Sequence, residues 1–191
     1  GPADGISSGQ PSTKVNQLPT ANLAKAAMFT GLAVGAGYAL LLIPNVEFIT
    51  AIVFIAGVYL GPRWGITVGF LAEFVFSAAN PFGSGLVFPP LIVAQMLGMG
   101  LVGACGGMLR KLLMSQTWPM TKVIFLGATG ATLTFVFDTL TTLSYPLAAG
   151  FEFRQTMAVY LAGIGFTLLH QVMNAVIFAT ALPRVFTRIS L

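Results

Sequence analysis

The sequence predicts an all-α integral membrane protein: a bundle of six transmembrane helices, both ends in the cytoplasm, with irregular outer loops over a ligand pocket. Three observations carry that expectation. Apolar residues make up 56% of the chain, charged residues only 7%, and mean hydropathy is +0.88. A soluble domain carries roughly a quarter charged residues, so the surrounding solvent must be lipid. Long apolar runs recur between Pro, Gly and basic breaks, without the period-2 alternation of a barrel, and helix is the open-chain way to satisfy a backbone in lipid. The basic residues then divide unequally between the two sides that those runs define.

A span takes about 20 apolar residues. The first runs over 22–43 and stops at Pro44-Asn45; the second runs over 48–60 and stops at Gly61-Pro62-Arg63. The third runs over 64–79 and stops at Asn80-Pro81, before a loop at 80–90 thick with Pro and Gly. The fourth covers 91–109 and ends at Arg110-Lys111, the fifth covers 123–143 and ends near Tyr145-Pro146, and the sixth covers 157–182 and ends at Pro183-Arg184. These spans make one membrane domain over 21–191. Residues 1–20, polar and rich in Gly, Ser, Pro and Thr, read as a flexible cytoplasmic tail, with Gly1-Pro2 as a tag remnant.

Six spans make the loops alternate sides. Lys14, Lys25, Arg63, Arg110, Lys111, Lys122, Arg184 and Arg188 fall on one side, and of the nine basic residues only Arg154 falls on the other. Positive charge marks the cytoplasmic side, so both termini lie inside. The same scatter offers no stripe to follow a phosphate backbone, which argues against nucleic-acid binding despite the net charge of +4. Cys105 stands alone, so neither an internal disulfide nor a thiolate cluster is available.

Ionisable residues inside a span are costly and mark a pathway or a site. Glu73, Asp138 and His170 are of this kind; Gln95, Gln171 and Asn174 accompany them, and Glu47 lies at the outer mouth. The span directions gather this set in the outer half and leave the inner halves apolar, as in a pocket open outward and closed below. The acids either face a ligand or pair with His170 and backbone groups to hold helices together. His170 and Asn174, four apart, share a helix face, which favours Asn174 over Gln171. Aromatics near the mouth, Phe82 and Tyr145 among them, either form an interfacial belt or wall a flat ligand.

Ala27, Gly31, Gly35 and Ala39 recur every four residues on the first span and make a smooth stripe. Such a stripe either packs within the chain or docks a separate subunit. Gly98, Gly103, Gly106 and Gly107 on the fourth span read as internal packing. No GxxxxGK[ST] loop, HExxH or cysteine cluster is present, so ATP hydrolysis by a phosphate loop and a metal site are not expected. Gly83-Ser84-Gly85 lacks the rest of a serine-protease nucleophile motif.

The run IPNVEFITAIVFIAGVYLGPRWGITVGFLAEFVFSAANPFGSG, followed by PPLIVAQMLGMGLVGACGG, resembles the substrate-binding S components of energy-coupling factor (ECF) transporters over about residues 22–185. The likeness rests on the Pro-Asn stop, the GPRWG inner turn and the NPFG outer loop. It implies high-affinity capture of a vitamin or related micronutrient at the outer face of a prokaryotic cytoplasmic membrane. It also implies a transmembrane coupling subunit and two cytoplasmic ATPases as partners. No cofactor is implied, since the small molecule is cargo and ATP is bound by the partners. The family pattern places the ligand among Asn45, Glu47, Asn80, Phe82, Gln95, Asp138, Tyr145 and Asn174, to which the polar residues of the spans add Glu73 and His170. The family's AxxxA docking motif is absent in strict form; Ala27, Gly31 and Gly35 stand nearest to it. Two other classes remain open: a stand-alone secondary transporter, which should show internal repeats, and an intramembrane enzyme.

Overall fold

The computed structural model describes residues 17–115 and 117–189, and helix is the only regular structure among them. Its long elements are α1 (Gln17–Ala39), α2 (Ile49–Leu60), α3 (Pro62–Ala78) and α4 (Pro89–Met108). They are followed by the single turn α5 (Arg110–Leu113), α6 (Met120–Ala148), α7 (Phe153–Ala162) and α8 (Ile164–Ile189). The tail expected over 1–20 is already helical from Gln17; its first 16 residues, Lys14 included, lie outside the described residues.

Local chemistry sets the breaks. The helix expected to reach residue 43 stops at Ala39, because the residue before Pro44 avoids helical geometry. The chain tightens instead, with Leu41 N–H donating to Tyr38 O and Ile43 N–H to Leu40 O. Asn45 then turns left-handed at φ 59°, a conformation its side chain tolerates. Between α2 and α3, Gly61 adopts φ 95°, which needs glycine, and Pro62 opens α3 where no amide hydrogen is required. The sixth expected span is divided: Gly163 separates α7 from α8, and α8 runs past Pro183 to Ile189.

Two kinds of packing hold the helices. The α2–α3–α4 group is joined backbone to backbone through glycine. A Cβ on Gly103 would lie 2.0 Å from Gly65 O, one on Gly57 2.0 Å from Gly103 O, and one on Gly69 2.3 Å from Met99 O. Small-residue seams of this kind let helix backbones approach closely, which suits lipid, where apolar burial gives little drive between helices. The α6–α8 pair meets through side chains: Gly130 cradles Phe178, and Gly127 faces Ala175 and Ala179. Phe54 of α2 and Phe178 of α8, both buried, join the two groups with ring centroids 5.0 Å apart.

The basic residues collect at one end. Lys25 and Arg110 line one cavity with Tyr59, Gly107 lies against Pro62 beside Arg63, and Trp118 of the α5–α6 loop stacks on Phe186 near Arg184 and Arg188. Lys122, buried there, donates to Ser115 Oγ at 2.8 Å and to Thr117 O, and its ammonium lies 3.9 Å from the centre of the Trp118 ring. Arg154 stands at the opposite end, in the first turn of α7. Among the described residues three helices are long and apolar enough to cross a membrane: Pro89–Met108, Met120–Ala148 and Ile164–Arg188. Ile49–Leu60 is a shorter apolar helix. Large apolar side chains such as Met28, Leu101, Phe166 and Val176 are exposed around the bundle, a surface suited to lipid rather than water.

Candidate functional site

At the end away from the basic cluster, three separate elements deliver polar side chains to one place. The α1–α2 loop brings Glu47, α6 brings Asp138, and the first half of α8 brings His170 and Asn174. These last two stand four residues apart, so one face of α8 presents both. They form a chain. His170 Nδ1 pairs with Asp138 Oδ1 at 2.9 Å; His170 Nε2 lies 3.5 Å from Glu47 Oε1; Asn174 Nδ2 donates to the same oxygen at 3.1 Å. Glu47 Oε2 accepts the Thr50 N–H at 2.9 Å, where the first turn of α2 has amide hydrogens to spare.

The chain is largely closed off. Asn174 is 1% exposed, and the side chains of His170, Asp138 and Glu47 are 14%, 14% and 21% exposed. Burial pushes the Glu47 carboxyl up, while the bonds from His170 and Thr50 push it down; the bonds win and hold it below its ordinary value. Two acceptors in the chain have no hydrogen-bond partner: Asp138 Oδ2 and Asn174 Oδ1. Glu73, also buried, sits within electrostatic reach of Glu47 but takes no part in the chain of bonds.

The remaining expected site residues stand around this chain rather than in it. Gln95 accepts from Ser77 Oγ at 2.8 Å, tying α4 to α3. Asn80 Oδ1 accepts the Phe82 N–H at 3.0 Å and shapes its own loop, and Phe82 is exposed. Tyr145 packs edge-on against Phe88 and Phe151, with centroids 5.8 and 5.5 Å away. Asn45 supplies the left-handed turn two residues before Glu47.

Sequence reasoning placed Glu47 at the mouth; the fold makes it the joint between α2 and α8. It also left Thr50 unmarked, although a carboxylate three residues ahead of a helix-starting Thr is the spacing that lets a side chain meet first-turn amides. A further link, Thr139 to the Tyr160 hydroxyl at 2.9 Å, ties α6 to α7 and had no signal beyond two polar residues in apolar helices. The histidine and acids, distant in sequence, are adjacent in space, yet among the described residues no group of three side chains is arranged to hold a metal ion.

On α1, the small residues face away from the bundle. Ala27, Gly31 and Gly35 are exposed, and a Cβ on either glycine would meet nothing within 4 Å. The helix packs inward through Ala26, Ala33 and Gly37 instead, so the stripe is not used for packing within this chain.

No curated protein and no solved structure matches the chain. A family model does: the one described as "ECF transporter, substrate-specific component" matches residues 21–182, and the chain belongs to that family.

Proposed function

We propose that this chain is the membrane-embedded capture subunit for a vitamin or related micronutrient, crossing the bilayer six times with both ends inside and energised by partner ATPases. Family membership supplies the coarser statement: the chain is a substrate-specific subunit of a membrane transporter, and such subunits carry cargo rather than catalyse. One observation supports the finer reading. The buried chain Asp138–His170–Glu47–Asn174 lies at the end opposite the basic residues, which by the positive-inside rule is the outer end. The cargo would meet Glu47, Asp138, His170 and Asn174 first. Glu73 and Gln95 stand beside them, and Asn45, Asn80, Phe82 and Tyr145 form the rim.

The outward stripe Ala27–Gly31–Gly35 would be the docking face for a transmembrane coupling subunit, and ATP would be bound by partners alone. Glycine there leaves a groove into which a second helix fits. Gly31→Leu is therefore expected to leave the isolated chain as stable as before and to abolish its co-purification with the coupling subunit. Unimpaired co-purification and uptake would remove this face from the proposal. The capture reading itself is tested by mass spectrometry of small molecules carried through purification. A stoichiometric compound is expected, lost when Asp138 and His170 are both replaced; protein that never retains or binds a small molecule would refute it.

A further inference from the structure

The chain of bonds is uneven in one respect. Each of its side chains makes at least one polar contact, while two acceptor oxygens have no partner. The Asn174 amide gives a hydrogen to Glu47 and keeps Oδ1 unpartnered, and Asp138 uses Oδ1 on His170 and keeps Oδ2 unpartnered. Buried polar atoms are nearly always paired, because an unmade bond to such an atom carries its full desolvation cost. Here both leftovers are oxygens, at the two ends of the same chain, and Asn174 is all but completely buried. The charge is uneven in the same direction: two carboxylates flank one imidazole.

We infer that the cargo carries N–H donors on a cationic or amino-substituted group, as in amidines, guanidines and amino-heterocycles, and that Asp138 Oδ2 and Asn174 Oδ1 are the acceptors that read them. This rests on the capture reading above and narrows its substrate class. A carboxylate or phosphate cargo would set acceptors against acceptors and add negative charge where negative charge already exceeds positive. N–H donors on the cargo satisfy these oxygens and offset the excess charge, and a bond to Asp138 is charge-assisted. Both oxygens are closed to solvent in this structure, so the cargo displaces part of the present packing where α8 meets the α1–α2 loop.

The test uses the full chain in detergent, with benzamidinium and benzoate as probes of matched ring and opposite chemistry. Benzamidinium is expected to raise the unfolding temperature, and benzoate is not. In Asp138→Asn, which keeps the shape and removes the charge, the apparent affinity for benzamidinium should fall about tenfold or more. The wild-type comparison needs no variant, so a poorly folding Asp138→Asn does not rescue the inference. Benzoate stabilising as well as benzamidinium, or neither probe acting, would overturn it. Identification of the purified cargo separates the two levels: an acceptor-only compound refutes the donor class and leaves capture standing, whereas no cargo at all refutes both.

Discussion

The α2–α3–α4 group and the α6–α8 pair are built from the same apolar residues but differ in what touches what. In the first, glycines bring main chain against main chain, with Gly57, Gly65 and Gly103 in a common seam. In the second, the side chain of Phe178 stands between the backbones at Gly130, and the nearest atom facing Gly127 is the Ala179 methyl. Backbone contacts cannot adjust, whereas side chains can change rotamer, so the first group is the stiffer body. The polar chain lies on the seam between the two, with Glu47 and Thr50 from one and Asp138, His170 and Asn174 from the other. A cargo bound there touches the body that holds still and the pair that has room to shift.

The largest effect that would break this contrast is expected at Gly103. Gly103→Ala drives a methyl into Gly65 O, a main-chain atom, and should cost about 3 kcal/mol, seen as a sharply lowered unfolding midpoint at fixed scan rate. A tolerated alanine there would mean that the seam is looser than described. Next comes the junction. His170→Leu removes the partner of Asp138 and one contact of Glu47, and should cost about 2 kcal/mol together with loss of bound cargo. Stability lost without any change in binding would make the chain of bonds a structural tie only. The smallest effect is expected at Gly127 on α6. Its added methyl would lie 3.2 Å from Ala179 Cβ and 3.3 Å from Ala175 O, so Gly127→Ala should stay within about 1 kcal/mol of the parent chain, the better helix propensity of alanine offsetting slight crowding. A drop as large as that at Gly103 would erase the distinction between the two regions.

Much of this was legible in the sequence, and the rest was not for identifiable reasons. The glycines at 98, 103, 106 and 107 announced close packing because small residues in an apolar helix have few other uses. His170 and Asn174 were paired correctly from their spacing of four alone, since helical periodicity fixes a shared face. Glu47 was underrated because it sits in a loop, where no periodicity relates it to α8, 127 positions away along the chain at Asn174. The division of the last segment at Gly163 was missed because glycine is tolerated in apolar helices and only tertiary packing decides whether one breaks. The direction of the α1 stripe also needed the fold: a smooth face is the same in sequence whether it points in or out.

Hydrogen exchange read by mass spectrometry tests the central claim most directly, comparing protein that retains its small molecule with protein stripped of it. Added protection is expected in the loop at 40–48 and in the segments around Asp138 and from His170 to Asn174, with the glycine-seamed helices α2–α4 unchanged. Protection that rises instead at the basic end around Lys25, Tyr59 and Arg110, or evenly along α3 and α4, would contradict it.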